Sequence, residues 1–555
     1  MTSPGDGTAL TGLRTGDGAP PAPDEMPARP GAAATGWRPR VRRLTRWRPT
    51  LEQLAVLSLG LLVLLVHDVG YMLRQSFWTD EAWVAVTTRF PLPQLPATTS
   101  SSPIGWSVLV RLVTVSGTQT ARLLPLAFAG AAVVTAYWFA RRIGWRSEVE
   151  SVAAGLAAAL GVLLVPAMLV RNDLKQYTAE AFTALLTLAL TSRLERDWSR
   201  RGLAALSVSV WAGLLFSNAV AFVGVAAFVA VCIIQAARRA WRRLAEAAVA
   251  GACTGVLMLA VYEAFDARAV TPLNASTYWP RFFLPVTQGL RADAAFVVQR
   301  FGRVHAMFGL GPWWLAVPLV VAGLVTMARL GRPATALAVI ALWPEMLVLS
   351  ALKKYPFLNL RTSTFLFAVT VVVAAIGLVG FCSLLRPWLQ GWVAALAAVA
   401  LVAFALGAQT YLRSHSIPNE DVRGQTRYVA AHAAPGDVIV VSLASNWGFA
   451  YYWPDGQPAR RFTPADMQQY VAYFPGQPRI VVASARDQAG VDAALSRALA
   501  KARQHRCARI WLVRTHLARG EGSAWAAALS RHGQSVTGVG HDGLSVIQAG
   551  GPSCQ

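Results

Sequence analysis

The sequence has few charged residues for its length. Only 14% of its 555 residues are Asp, Glu, Lys or Arg, whereas these residues make up about a quarter of a soluble globular protein. Apolar residues account for 55% of the chain, and the mean hydropathy is +0.42. This composition excludes an ordinary soluble enzyme and an intrinsically disordered protein.

Lysine and cysteine are also scarce. The 51 basic residues include only four lysines, which are Lys175, Lys353, Lys354 and Lys501. Because the heavy use of Arg and Ala is typical of a GC-rich coding sequence, the lysine positions carry more information than the arginine positions. The five cysteines contain no Cys-x-x-Cys pair, which excludes a zinc ribbon and a disulfide scaffold.

Long apolar runs follow a basic segment at 38–48. A basic segment directly before about 20 apolar residues predicts a membrane helix that starts in the cytoplasm. The region 203–237 forms either one kinked element or two helices separated at Ser217 and Asn218. With that break, we predict eleven membrane helices, at 53–73, 120–141, 150–169, 175–192, 203–217, 219–237, 244–264, 312–329, 334–351, 361–384 and 391–411.

The arginines indicate the orientation of these helices. With a cytoplasmic N-terminus, every inner connection carries arginine, as the positive-inside rule requires. The net charge of +23 is therefore mainly an orientation signal, together with attraction to anionic lipid headgroups. No basic soluble surface remains for nucleic acid. The inner connections are 141–146, 193–201, 238–243, 329–332 and the one that contains Arg386.

The same topology places the end of the chain outside the cytoplasm. Strand-like runs at 437–442, 479–484 and 509–513 alternate with helix-like segments, an order that predicts a small α/β domain. We therefore divide the chain into a disordered basic cytoplasmic N-terminus (1–50), a membrane domain (51–412) and an extracytoplasmic C-terminal domain (413–555).

Two features of this C-terminal domain leave alternatives open. Cys507 and Cys554 either form a disulfide, which an oxidising compartment would allow, or remain free thiols. Tyr451, Tyr452 and Trp453 either stack on a sugar or form an aromatic core.

Adjacent carboxylates occur just past the outer end of the first helix. The segment FWTDEAW at 77–83 contains Asp80 and Glu81. One interpretation is the first turn of a surface helix, capped by Thr79 or Asp80. The other is a general base beside a cleft at the membrane face.

Two further polar segments lie at the same predicted face. Lys353, Lys354 and Arg361 lie in a short outer connection, where they contact either lipid phosphates or the phosphate of a substrate. Lys175 and Tyr177 lie at the top of a helix, where the alternative is a helix cap with Tyr177 in the interfacial aromatic belt. Together the three segments fit a sugar carried on a lipid phosphate.

This ordered set of motifs resembles the GT-C glycosyltransferases of the protein-mannosyltransferase type, which include bacterial relatives acting on lipid-linked sugars. The resemblance covers residues 50–410. The matching segments are FWTDEAW, SSSPIGW at 100–106, LKQYTAEAF at 174–182 and KKYPFLNLR at 353–361. SSSPIGW departs from the more usual double proline of the family. The fold implied is mainly α, a polytopic GT-C membrane protein with about eleven transmembrane helices and the C-terminal α/β domain.

The resemblance also implies roles for individual residues. Asp80 would deprotonate an acceptor hydroxyl, which attacks the anomeric carbon of a sugar on polyprenyl phosphate with inversion. Glu81 would orient the acceptor or pair with a basic group. Glu180 and His305 are further candidates, and a divalent metal is used by some family members, although no firm ligand set is evident here. The residues expected at the donor are Lys175, Tyr177, Lys353, Lys354, Tyr355 and Arg361.

The expected function is an inverting glycosyltransferase of the cell membrane, acting on a glycan, lipid or protein acceptor. One alternative is a transporter or flippase of lipid-linked glycans, and Glu345 beside Pro344 inside a predicted helix favours it. Another is an inactive relative that serves as a binding protein. Because most predicted helix interiors are apolar and the polar groups cluster at outer helix ends, surface chemistry is favoured over transport.

Overall fold

The structure is a computed structural model. It describes residues 50–99, 102–115, 117–164, 174–267, 279–308, 313–359, 361–384, 420–454, 457–459, 471–474, 476–505 and 508–548. The basic segment, the predicted helix at 391–411, Cys507 and Cys554 lie outside these residues.

The described residues before 385 are mainly helical. The bounds of its helices are α1 Leu51–His67, α2 Val69–Arg74, α3 Thr79–Thr87, α4 Leu95–Thr98, α5 Ile104–Val113, α6 Leu123–Arg141, α7 Glu148–Leu164, α8 Tyr177–Arg196, α9 Arg200–Leu214, α10 Ala219–Ala237, α11 Trp241–Val261, α12 Leu290–Phe308, α13 Trp313–Arg329, α14 Pro333–Ala351 and α15 Thr364–Leu384.

Each predicted membrane helix that falls within the described residues coincides with a helix of the structure. The predicted helix at 53–73 is divided at Asp68, whose φ of +42° ends α1 and whose side chain accepts a hydrogen bond from the Tyr71 N–H at 3.0 Å. The break near Ser217 is present, because the Ser217 hydroxyl accepts a hydrogen bond from the Val220 N–H at 3.1 Å at the start of α10.

Among the described residues, five helices are long and apolar enough to cross a membrane. They are Thr120–Arg141, Ala219–Ala237, Trp241–Asp266, Pro333–Ala351 and Thr364–Ser383. This number is typical of a multi-pass membrane protein. Glu52–His67 and Ala316–Arg329 are apolar but shorter.

Helices α13 and α15 pack with their backbones in contact. Gly323 of α13 faces the carbonyl of Val373, and Gly377 of α15 faces the carbonyl of Leu319. A side chain at either glycine would occupy the space of the opposite backbone. Such close approach through small residues is a common way for membrane helices to associate.

The predicted outer connections contain helices as well. Helices α3 and α5 lie between the first two predicted membrane helices. No helix was predicted between 264 and 312, yet this segment contains α12. This helix carries several charged side chains, such as Arg291, Asp293 and Arg300, so it lacks the long apolar run by which the other helices were predicted.

The C-terminal part combines helices with a mixed sheet. Its elements are α16 Val422–His432, β1 Val438–Val441, α17 Asn446–Tyr452, β2 Gln457–Ala459, β3 Val471–Tyr473, β4 Ile480–Val482, α18 Gln488–Ala502, β5 Arg509–Val513, α19 Glu521–Arg531, β6 Thr537–Gly538 and β7 Leu544–Gln548. The sheet order is β4-β1-β5-β7-β6, with β1 parallel to β4 and β5, and with β7 antiparallel to β5 and β6. Strands β2 and β3 form a separate antiparallel pair.

Candidate active site

The first turn of α3 carries the adjacent carboxylates. Glu81 accepts a hydrogen bond from the Trp78 N–H at 3.3 Å, which fixes the start of the helix. Asp80 lies in the same turn, where the helix dipole favours a negative charge. The motif therefore does start a helix with Glu81 in its first turn, but the cap residue is Trp78 rather than the expected Thr79 or Asp80.

Asp80 forms an ion pair with Arg361. Arg361 Nη1 donates to Asp80 Oδ2 at 2.7 Å, and the two side chains are 20% and 26% exposed, so both remain in partial contact with solvent. The guanidinium carbon lies 5.1 Å from the ring centroid of Trp78 and 5.7 Å from that of Tyr177. Three segments that are distant in the sequence thus meet around one carboxylate.

Two nearby cations dominate the electrostatics of Asp80. Burial alone would raise the pKa of this carboxyl, but Lys175 and Arg361 outweigh it and hold the pKa below its ordinary value. Lys175 Nζ also lies 4.8 Å from the ring centroid of Trp83 on α3. Asp80 is therefore an ionised carboxylate beside positive charges that can hold an anionic group.

Glu81 occupies a different environment from Asp80. It is fully buried and forms an ion pair with Arg122, whose Nε donates to Glu81 Oε1 at 2.7 Å. Arg122 also donates to the carbonyls of Met72, Gln75 and Ser76 at 2.5, 3.0 and 3.0 Å. Of the two roles expected for Glu81, the structure places it in a pair with a basic group, and this pair attaches α3 to the end of α2. Arg122 was not singled out from the sequence.

The lysines after α14 do not join this cluster. The side chains of Lys353 and Lys354 are exposed, and no hydrogen bond or ion pair connects them to the described residues around Asp80. Tyr355 donates its hydroxyl to the carbonyl of Thr362 at 2.7 Å, and its ring lies 4.9 Å from that of Phe222. Of the four residues expected from this segment, only Arg361 contacts Asp80.

The remaining candidates are Glu180 and His305. Glu180 is fully buried one turn along α8 from Tyr177, and its Oε2 has no hydrogen-bond partner among the described residues. His305 falls in α12, but its side chain is outside the described part of the structure. Within the described ranges, no group of three or more His, Cys, Asp or Glu side chains could hold a metal ion.

The C-terminal part contributes residues that sequence reasoning missed. Glu420 Oε2 accepts a hydrogen bond from the Thr79 N–H at 3.2 Å, directly before Asp80. The His516 ring contacts Glu420 through Nδ1, and its centroid lies 5.8 Å from that of Trp78. Neither residue stands in a motif, so only the tertiary contact between the two parts of the chain identifies them.

The aromatic residues of α17 pack against the segment between α2 and α6. The Tyr451 hydroxyl donates to the carbonyl of Thr118 at 2.7 Å, and the Tyr452 hydroxyl accepts from the Phe77 N–H at 2.7 Å. Trp453 stacks on Phe449 with ring centroids 4.9 Å apart. These contacts favour the aromatic-core interpretation of the segment over sugar stacking.

Comparisons with known proteins bear on the fold. No protein-family model and no curated protein sequence matches this chain. The crystal structure of ArnT from Cupriavidus metallidurans in the apo state is similar, with a TM-score of 0.54 and 15% identity over 90% of this chain and 99% of ArnT. The archaeal oligosaccharyltransferase AglB from Archaeoglobus fulgidus, solved with an inhibitory peptide and a dolichol-phosphate, has a TM-score of 0.47 and 12% identity over 86% of this chain and 71% of AglB. The chain therefore shares the fold of ArnT.

Proposed function

We propose that the protein is an inverting glycosyltransferase that moves a sugar from a polyprenyl-phosphate donor to an acceptor hydroxyl. The reaction would occur at the outer face of the cytoplasmic membrane, in the synthesis of a cell-envelope glycan or a glycoprotein. The observation that supports this most strongly is the Asp80–Arg361 pair at 2.7 Å, with Lys175 nearby, in a chain with the GT-C fold.

The proposed chemistry uses these three side chains. The acceptor oxygen forms a bond to the anomeric carbon while the bond between that carbon and the phosphate oxygen breaks. The hydroxyl proton passes to Asp80, and the electron pair leaves with polyprenyl phosphate. Arg361 and Lys175 would stabilise the charge on the departing phosphate by preorganised donors. Because this leaving group is already a stable anion, the step requires no strong general acid.

The proposed topology follows the arginine pattern of the sequence. The N-terminus would be cytoplasmic, and the C-terminal domain would lie outside with the Asp80 cluster. We assign the exposed Lys353 and Lys354 to lipid headgroup phosphates rather than to the donor, because no hydrogen bond or ion pair joins them to the described residues around Asp80. The assay is run with and without a chelator to test whether the reaction depends on a metal ion.

The test is donor consumption by the full-length protein in lipid nanodiscs. Polyprenyl phosphates that carry mannose, arabinofuranose or glucose are each incubated with a membrane fraction from a deletion strain as acceptor. We expect the release of free polyprenyl phosphate from one donor, together with sugar incorporation into the fraction. The proposal fails if no donor is consumed while the same protein moves lipid-linked glycans across liposome membranes, since that outcome identifies a transporter.

A further inference from the structure

An ion pair within the C-terminal domain lies beside the turn that carries Asp80. It joins Glu420 to His516, which are separated by 96 residues in the sequence. Glu420 is 12% exposed and His516 is 42% exposed, so the pair is partly shielded but remains in contact with solvent. None of the chemistry proposed above uses this pair.

Glu420 fixes the turn that carries Asp80. Its Oε2 accepts a hydrogen bond from the Thr79 N–H, one of the first N–H groups of α3, which have no partner inside the helix. The Thr79 hydroxyl donates to the carbonyl of Ala444 at 3.0 Å. The start of α3 is therefore held by two residues of the C-terminal domain.

The backbone at His516 is held in an uncommon conformation. Its φ of +50° is rare for a residue other than glycine. The preceding Thr515 N–H donates to the Ser445 hydroxyl at 2.7 Å, which fixes the chain at this point. Such conformations persist where the surrounding structure imposes them, and they cluster at functional sites. Here the imposed conformation brings the imidazole against Trp78, which also contacts Arg361.

Five influences act on the charge of His516. The hydrogen bond that the imidazole donates to Glu420 is the largest and raises the pKa of the imidazole, and the charges of Glu420 and Asp80 add to it. Burial and the nearby Arg486 act in the opposite direction. The net effect is a pKa above the ordinary value, which favours the imidazolium, and this cation in turn lowers the pKa of Asp80.

We propose that Glu420 and His516 form a positioning pair, by which the C-terminal domain completes the site around Asp80. Glu420 fixes the first turn of α3, and the His516 imidazolium holds the Asp80 carboxylate in place by charge. The catalytic consequence rests on the function proposed above, whereas the coupling between the two domains does not.

The coupling is tested first without substrate. The full-length protein with ¹³C-labelled histidine is titrated by NMR in detergent, and the His516 signal is identified by its loss in His516→Gln. We expect Asp80→Asn and Glu420→Gln each to lower the His516 titration midpoint, because each removes a neighbouring negative charge. Asp492→Asn is the matched control, since Asp492 contacts a different histidine, His532, at 3.4 Å. A His516 midpoint unchanged by both site variants overturns the proposal.

The second test is the pH profile of sugar transfer. We expect His516→Gln to move the acid limb of kcat/KM to higher pH, because Asp80 loses a stabilising cation. His532→Gln should leave the limb in place. A merely structural role would lower activity equally at every pH, and an unmoved limb therefore contradicts the proposal. If the wild-type chain transfers no sugar, the function proposed above fails, whereas the NMR result still decides the coupling.

Discussion

At the scale of single residues, Arg361 is suited to two proposed roles, which are to hold the donor phosphate and to pair with the Asp80 carboxylate. It pairs with the Asp80 carboxylate and lies over the rings of Trp78 and Tyr177. A planar guanidinium can hold a phosphate through two parallel hydrogen bonds while it remains stacked on an aromatic ring. An ammonium group provides charge without this geometry. The residue is therefore suited to hold a donor phosphate next to the proton acceptor.

Replacing Arg361 tests this view directly. We expect Arg361→Lys to raise the KM for the donor about tenfold or more, because the bidentate geometry is lost while the charge remains. Lys501→Gln, which removes a distant cation on α18, serves as the control and should leave the donor KM unchanged. Steady-state kinetics of polyprenyl-phosphate release measure both, and equal KM values for wild type and Arg361→Lys would contradict the assignment.

The Arg361 cation also affects the protonation of Asp80. We expect Arg361→Gln to raise the pKa of Asp80, because one of the positive charges that oppose the effect of burial is removed. The acid limb of kcat/KM should therefore move to higher pH, while a control at a remote arginine such as Arg531→Gln should not move it. A limb that stays in place would show that Arg361 does not act on Asp80 in the working enzyme.

At the scale of elements, the buried pair Glu81–Arg122 holds α3 against the end of α2. Removing one partner of a buried ion pair leaves an uncompensated charge and costs about 3–5 kcal/mol. We expect Arg122→Met to lower the thermal unfolding midpoint strongly, whereas Arg142→Met, at an exposed arginine, should change it little. Circular dichroism melts in detergent measure both, and equal midpoints would contradict a structural role for the pair.

The glycine contact between α13 and α15 is a second feature at this scale. Since Gly377 faces the backbone of Leu319, any side chain there forces the helices apart. We expect Gly377→Val to reduce the yield of folded protein in gel filtration, whereas Gly60→Val, at an open position of α1, should be tolerated. Wild-type behaviour of the Gly377 variant would mean that the two helices are not in backbone contact.

The elements differ in how far the sequence predicts them. Long apolar runs predict the helices well, because burial in a bilayer requires about 20 such residues. Helix α12 is amphipathic and was missed, because its charged side chains interrupt every apolar run. The strands β6 and β7 were also missed, because β7 depends on pairing with β5 and β6 depends on pairing with β7 rather than on a local pattern.

At the scale of the whole molecule, the site lies where the C-terminal part contacts the segment between α2 and α6. The sequence motifs predicted that Asp80, Lys175, Tyr177 and Arg361 share one face, because each motif has its own polar pattern near a helix end. Glu420 and His516 could not be predicted, because their role arises only from the docking of the two parts. Lys353 and Lys354 are the opposite case. Their position in the sequence predicted a place in the site, but no contact joins them to Asp80 in the structure.

The central claim is that Asp80 accepts the proton of the acceptor hydroxyl. The most direct measurement is the rate of sugar transfer at saturating donor by the variants Asp80→Asn and Asp68→Asn. Asp68 is the control, because its exposed side chain caps α2. We expect Asp80→Asn to lower kcat by about 10²–10⁴-fold with donor binding retained, and Asp68→Asn to remain near wild type. Transfer by Asp80→Asn at the wild-type rate would contradict the account.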